Sequence, residues 1–334
     1  MSKVYLVTGA NSGVGKDACR QLALLDDTKK VYLCARSEEK AKKAIADLVS
    51  STSTIDGNKL QAHHFDPNES KQDIIRKTVK SLPEDFFHGV ILNAGSRGAL
   101  TPSGPNNVTP IAQVNVIGHV HLVDGLLAAG KIGTKKGDDS FKSRVVYIGS
   151  ETAKGGGAAK SPGLGEKSEQ DICSILNGDY YKNAEEKDDT DGNTAYGAVK
   201  GVGTLYFSGF GRAHPETYTV TVSPGGTAGT EFLSNNSDAF GGPFVAFLAK
   251  YVVIPVLLLT GFFHKLEVGA KRYVDAVVGK ENGFEFETGT FVASKRGVSG
   301  SLSDQAKTSG PEGIVYGDID KQDMVYNMIQ NTYA

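Results

Sequence analysis

The chain has 334 residues, 36 Lys+Arg against 38 Asp+Glu, a formal net charge of −2 and 39% hydrophobic residues. That balance supplies apolar surface for a real core and excludes a wholly disordered chain. It also lacks the basic field on which nucleic-acid binding draws, so no nucleic-acid partner is expected. Cys19, Cys34 and Cys173 form an odd set without a C-x-x-C pair, and no histidine spacing joins a carboxylate in a ligand pattern. A reducing compartment is expected, with neither a disulfide framework nor a metal site. Met1 leads directly into Val4–Val7 without a charged leader. The expected location is therefore the cytoplasm, or a plastid if a transit peptide has been removed.

In chain order, Val4-Tyr5-Leu6-Val7 reads as a strand ending in a glycine turn, and Lys16 to Leu25 as the helix that follows. Val31 to Cys34 is a second strand, and Ser37 is a plausible N-cap for a helix running to about Leu48. Further strands are expected at Leu60 to Phe65, Val90 to Leu92, Val145 to Ile148, Tyr218 to Val222 and Thr290 to Ala293, with helical patterns such as Ile111 to Ala129 and Ala195 to Arg212 between them. This alternation predicts an α/β fold, a doubly wound parallel sheet in one domain over 1–334, with ligands at the carboxyl ends of the strands. Two stretches interrupt it. Residues about 154–193, rich in Gly, Lys, Glu, Asp and Ser, read as a surface insertion with a short apolar patch at Ile172 to Leu176. Residues about 227–266 contain the most apolar stretch, Phe244 to Phe263, which Lys250 and Pro255 break short of a membrane span.

Thr8-Gly9-Ala10-Asn11-Ser12-Gly13-Val14-Gly15 gives T-G-x-x-x-G-x-G between a strand and a helix. Glycines there allow a tight turn and a close backbone approach to a pyrophosphate, which the free amides and positive end of the helix attract. Gly9, Asn11, Ser12, Gly13, Val14 and Gly15 are thus cofactor-binding candidates. Ala35-Arg36-Ser37 stands at the end of the second strand, where an acidic residue would select NAD(H), so Arg36 predicts NADP(H). Asp66, after the third strand, is positioned to meet the adenine or else to cap a helix ahead of Pro67. Of 13 tyrosines only Tyr196 has a lysine four residues on, Lys200, so that phenol and amine share a helix face. Such a pair also arises as an ordinary surface pair. Its force comes from Ser150 after Val145–Gly149, Asn115 within Val114–Gly118, and Asn93-Ala94-Gly95 at a strand end.

These elements, in this order and together with Ser223-Pro224-Gly225-Gly226, resemble the short-chain dehydrogenase/reductase family over essentially the whole chain. The resemblance implies a Rossmann-type fold and an oxidoreductase in which Tyr196 gives or takes the proton, Ser150 orients the substrate oxygen, Lys200 binds the nicotinamide ribose and Asn115 supports a proton relay through water. It also implies cofactor contacts from Asn93, Ala94, Gly95, Pro224, Gly225 and Thr227. The chemistry needs such a set, since hydride delivery to a carbonyl leaves an alkoxide that must meet a proton donor and a second hydrogen bond. A lysine ammonium nearby is expected to lower the phenol's pKa.

Within the family the chain looks toward protochlorophyllide-reductase-like, retinol-dehydrogenase-like and carbonyl-reductase-like members. Val202 and Gly226 stand where the protochlorophyllide enzymes carry cysteines, which places reduction of a pigment C=C bond second to carbonyl reduction. A non-catalytic NADPH-binding sensor is a third reading, against which the intact Tyr196, Lys200, Ser150 and Asn115 argue. Ser150 and Tyr196 stand 46 positions apart, which accommodates the insertion; that segment would hinder helix pairing and favours a monomer. By position in the family, 227–266 is the substrate lid. Its apolar residues at 244–263 suit a large apolar substrate, a peripheral membrane contact or plain core packing.

Overall fold

Val4 and Leu6 face one side of the first strand and Tyr5 and Val7 the other, and all four are buried. A strand reads this way when both faces of its sheet are covered. The computed structural model describes residues 2–154, 163–182, 192–228, 263–308 and 315–334. Their strands are β1 (Lys3–Thr8), β2 (Thr28–Ala35), β3 (Leu60–His64), β4 (Gly89–Leu92), β5 (Thr134–Lys135), β6 (Asp138–Ile148), β7 (Thr217–Val222), β8 (Phe291–Arg296) and β9 (Ser299–Asp304). They form one sheet in the order β3-β2-β1-β4-β6-β7-β8-β9, with β5 paired to β6 off this path. Neighbours from β3 to β8 are parallel, with Leu6 opposite both Tyr32 and Val90, and Val146 opposite Val220. Strand order reverses between β1 and β4, which opens a crevice at their carboxyl ends.

On one face lie α1 (Gly13–Ala23), α2 (Glu38–Ser51) and, later in the chain, Leu266–Val278, which bury Val14, Ala18 and Leu22, then Ala41, Ala44 and Leu48, then Ala270, Tyr273 and Val277. The other face carries α3 (Pro110–Ala128), α5 (Gly192–Ala213) and α7 (Ile319–Tyr333), with α4 (Glu169–Asn177) against the last two. Leu266–Val278 is α6 hereafter. Val120, Val123, Val202, Phe207, Val325 and Ile329 interlock there. Among the described residues only α3 is long and apolar enough to cross a membrane, and it is largely buried within this layer.

Two features differ from the sequence expectation. The insertion is more than surface: Ser168 and Asp171 form a capping box at the start of α4, Gly178 ends it in the left-handed region, and Ile172, Ile175 and Leu176 are fully buried. Thr109 donates from its backbone amide and its hydroxyl to the Leu176 carbonyl, at 2.8 and 3.0 Å, and thereby stitches α4 to the start of α3. Beyond β8 the sheet adds the antiparallel β9, whose short, polar, glycine-containing run gave no strand signal, and α7 closes the chain. The apolar residues 244–262 and the insertion's flanks, 155–162 and 183–191, lie outside the described residues.

Phe207 stacks on Tyr147 with centroids 4.6 Å apart, sealing α5 against the sheet directly beneath Lys200. Phe207→Ala is expected to lower stability by about 3–5 kcal/mol, read from urea unfolding. A loss under about 1 kcal/mol would mean that the site beneath collapses without cost.

Candidate active site

Thr8 ends β1, and Gly9 and Gly13 then take φ of +63° and +57°. A Cβ on Gly9 would sit 2.8 Å from Ala94 Cα, and one on Gly15 would strike the Asn93 amide and lie 2.9 Å from the Gly9 carbonyl. The two glycines are therefore required by the close approach of the β4 end to the turn. Asn93 fills that gap by donating to the Thr8 and Gly9 carbonyls at 2.8 and 3.2 Å, and Ala94 N–H donates to Thr8 Oγ1 at 2.9 Å. The α1 ladder begins at Lys16 N–H, which donates to the Ser12 carbonyl. Ser12 makes no side-chain cap, so the amides of Gly13, Val14 and Gly15 are the helix's orphan donors at its positive end. This donor set fits a pyrophosphate.

A second layer stands behind the turn. Residues Gln113–Ile117 of α3 form a π turn, and the Asn115 side-chain amide donates to the Ile111 and Ser96 carbonyls at 2.8 and 2.7 Å. Occupation of the Ile111 carbonyl, four residues back, by a side chain is a physical reason for the widened turn. The Asn115 carbonyl faces Tyr147 Oη at 3.0 Å and His119 Nδ1 at 3.3 Å, while His119 Nε2 meets Thr8 Oγ1 at 3.1 Å. Burial and the Lys200 charge push His119 down to about 3, so it is neutral and its two nitrogens divide into one donor and one acceptor. Asn115 Oδ1 is buried and has no hydrogen-bond partner among the described residues. A Cβ on Gly95 would lie 2.7 Å from that oxygen and 3.3 Å from Lys200 Nζ, so the missing side chain keeps open the space they share. An orphan acceptor of this kind costs about 1–3 kcal/mol until a donor arrives, which fits a site built for a polar ligand or its water.

Tyr196 and Lys200 stand one turn apart on α5, and the Lys200 ammonium lies 5.8 Å from the Tyr196 ring and 5.1 Å from that of Tyr147. Lys200 is 2% exposed and donates to the Ile148 carbonyl at 2.7 Å, and burial pulls its pKa down to about 7. Ser150, just past β6, hydrogen-bonds Tyr196. Its oxygen also accepts from Thr152 N–H at 3.2 Å and Thr152 Oγ1 at 2.8 Å, which leaves the one Ser150 proton to turn to the phenol or to a substrate oxygen. Burial pushes Tyr196 up to about 12 against the opposing pull of the Arg97 guanidinium and the Ser150 bond. The expected tuning by Lys200 is thus not what acts here: desolvation dominates, and the charge that lowers the phenol belongs to Arg97.

After β7, Gly225 turns with φ +77°, its amide donates to Ser223 Oγ at 3.1 Å, and Thr227 Oγ1 donates to the Pro224 carbonyl at 3.1 Å. Thr227 bridges His264, so the chain leaves for residue 229 and returns at 263 side by side. The lid expectation therefore falls mostly on residues outside those described, while both its stems stand at the site. Arg36 is exposed at the end of β2, and Ser37 caps α2 by accepting from Lys40 N–H. Asp66 Oδ1 accepts from the amide and side chain of Asn68, both at 3.0 Å, a turn-capping role close to the alternative weighed for it. A groove between α1 and α2 is lined by Asn11, Ser12 and Gly13 and by Lys16, Lys40 and Lys43.

The structure thus gathers Tyr196, Ser150, Lys200 and Asn115 beside the glycine turn. Sequence reasoning missed Thr8, His119, Arg97 and Thr152. Thr8 was legible as the first letter of the motif, and Thr152 as the hydroxyl two after Ser150. His119 and Arg97 carried no signal, since partners far off in the chain, Thr8 for the one and Tyr196 for the other, define them.

Residues 3–162 match the family model of the short chain dehydrogenases. A short-chain dehydrogenase/reductase of Armillaria gallica is 34% identical over 157 residues, 44% of this chain and 47% of that protein, and human retinol dehydrogenase 11 is 30% identical over 151 residues, 44% and 43% respectively. The chain spans about half the length of these relatives. Among solved structures, salutaridine reductase from Papaver somniferum superposes with a TM-score of 0.59 at 17% identity, over 86% of this chain and 99% of that one. A complex of Pseudomonas aeruginosa RhlG with NADP gives 0.55 at 16%, over 86% and 93%. At these identities the likeness speaks for the fold. Residues 3–162, just under half of the chain, thus match the short chain dehydrogenase family, and the doubly wound sheet that the remaining strands complete agrees with that match.

Proposed function

We propose that the chain is an NADP(H)-dependent oxidoreductase that reduces a carbonyl of a large apolar substrate or runs the reverse alcohol oxidation. The observation that carries this reading is the Ser150–Tyr196 hydrogen bond beside Lys200, at the strand ends where the glycine turn lies. When bound, the dinucleotide supplies or accepts the hydride. Tyr196 then gives its proton to the developing alkoxide, and Ser150, its oxygen held by Thr152, offers the second hydrogen bond that fixes the carbonyl. Lys200 has donors to spare beyond the Ile148 carbonyl and holds the nicotinamide ribose, and Asn115 Oδ1 takes a relay proton's donor from the Gly95 side. Gly9 to Gly15 would hold the pyrophosphate, Asn93 to Gly95 and Pro224 to Thr227 would line the nicotinamide end, and Asp66 would meet the adenine.

NADP(H) is favoured because Arg36 stands at the end of β2 where an acidic residue would repel a 2′-phosphate. Support for a large apolar substrate comes from the composition of 244–263, from the return of that segment's stems to the site, and from the name of the retinol dehydrogenase relative. A monomer in a reducing compartment, with peripheral membrane contact through 244–263, completes the reading.

Tyr196→Phe is expected to lower kcat/KM across a panel of apolar carbonyls by about 10²–10⁴-fold while NADPH binding in equilibrium titration stays level. Unchanged turnover would remove the assigned acid. Arg36→Ala should weaken NADPH about 10–100-fold and leave NADH nearly untouched, in line with one charge-assisted hydrogen bond lost; equal losses for both cofactors would place the arginine elsewhere. Because the phenol is held near 12, it stays protonated through neutral pH. At saturating NADPH, which removes the effect of Lys200 titration on binding, reductive kcat should therefore be level from about pH 6 to 9, and alcohol oxidation, which needs phenolate, should climb over the same span. A reductive rate that declines through neutrality would contradict that protonation state.

A further inference from the structure

Behind the reacting groups a buried ionic cluster joins three successive strand ends. Glu151 follows Ser150 directly, and its side chain is 8% exposed. Its Oε1 accepts from Ser294 N–H at 3.0 Å and Ser294 Oγ at 2.9 Å and stands 3.6 Å from Arg272 Nη1, while Oε2 takes Lys154 Nζ at 2.8 Å. Arg272, on α6, is 6% exposed at its side chain and donates to the Ser223 carbonyl at 3.2 Å, Ser294 Oγ at 3.1 Å and the Gly300 carbonyl at 2.9 Å. A Cβ on Gly225 would lie 2.5 Å from Arg272 Nη1, so the guanidinium presses directly on the turn that follows β7. Lys154 closes the set by donating to the Ser294 and Gly297 carbonyls at 2.9 and 3.0 Å.

A salt bridge so placed is a poor device for stability alone, because desolvating both ions offsets most of their attraction. What it does well is fix geometry, since each ion must satisfy several partners at once. The carboxylate locks the turn that carries Ser150, and the guanidinium locks the segment Ser223 to Gly226. Neither residue can reach the reacting atoms itself, because its polar atoms are spent on Ser294, Ser223 and Gly300.

Resting on the oxidoreductase reading above, we propose that Glu151 and Arg272 are positioning residues that hold the Ser150 hydroxyl in register with the Pro224–Gly226 segment, and so with the nicotinamide ring of a bound cofactor. The pyrophosphate end, at Gly9 to Gly15, lies outside their contacts. Their loss therefore affects the ring and the reacting carbonyl more than affinity for the dinucleotide as a whole.

The test compares full-length wild type with Glu151→Gln, Arg272→Lys and the double variant, each kept for analysis only where it melts cooperatively. Three quantities are read: the NADPH dissociation constant, the fluorescence enhancement of the bound nicotinamide, and kcat per NADPH-binding site on a carbonyl that the wild type reduces. Expected for Glu151→Gln are a dissociation constant within 3-fold of wild type, an enhancement cut by half or more, and a kcat per site at least 10-fold lower with KM for the carbonyl little changed. Arg272→Lys keeps the charge but not the fork and should show the same pattern with a smaller loss, and the double variant should be no worse than Glu151→Gln, as for groups acting as a unit. A purely structural role would lower the melting temperature and the number of binding sites but leave enhancement and kcat per site unchanged, and that result overturns the proposal. Should neither conservative variant fold, Ser294→Ala, which removes only the hydroxyl shared by both ions, is read by the same criteria. A wild type that binds no NADPH overturns the function reading and this inference with it, whereas a wild type that turns over and variants that match it overturn the inference alone.

Discussion

Parallel pairing brings the carboxyl ends of β1, β4, β6 and β7 level at one rim, and the chemistry of this molecule depends on that levelness. Thr8, Asn93, Ser150 and Ser223 each stand within two residues past or at the end of one of these strands. Their side chains meet across gaps that no local sequence spans: Asn93 crosses to the Thr8 and Gly9 carbonyls, and Ala94 N–H to the Thr8 hydroxyl. Gly9 and Gly15 lack side chains because the strand ends come this close.

Burial sets the electrostatics of the rim more than pairing does. Lys200 is drawn down, Tyr196 up, and His119 is kept neutral, in each case chiefly by removal from water. The charged groups that remain are divided between two places. Arg97 acts on the phenol, and the Glu151–Arg272–Lys154 cluster holds the backbone on the opposite side. Neutral hydrogen bonds, from Thr152 to Ser150 and from Tyr147 to the Asn115 carbonyl, hold the groups around the phenol. The candidate site thus has a buried centre in which the Ser150, Tyr196 and Lys200 donors are already held in position.

Much of this was legible in the chain because parallel strands and their helices leave strong local marks. The strands through β4, β6 and β7 and helices α1, α2, α3 and α5 are where hydrophobic period and turn residues place them, with boundaries moved by a few residues. The motif residues Gly9 to Gly15, Asn93, Asn115, Ser150, Tyr196 and Lys200 do come together. What escaped was of two kinds. β9 and α4 are short or polar at the level of sequence and become ordered parts of the fold through neighbours: Val292 and Ala293 for the one, Thr109 and the faces of α5 and α7 for the other. The source of the phenol's tuning was read from the i, i+4 spacing, which brings Lys200 near but cannot say that burial outweighs the charges around the phenol or that Arg97 faces it.

By itself, the order of residues determined the βα alternation, the glycine turn and the set of candidate site residues, because hydrophobic period, backbone freedom and functional-group chemistry are properties of a few neighbouring residues. Only the tertiary structure decided which charges face Tyr196, that Asn115 keeps one oxygen free, and that Glu151 is pinned between Ser294 and Arg272. Those depend on burial and on distances between residues up to 143 positions apart in the chain, quantities that exist only once the sheet has closed.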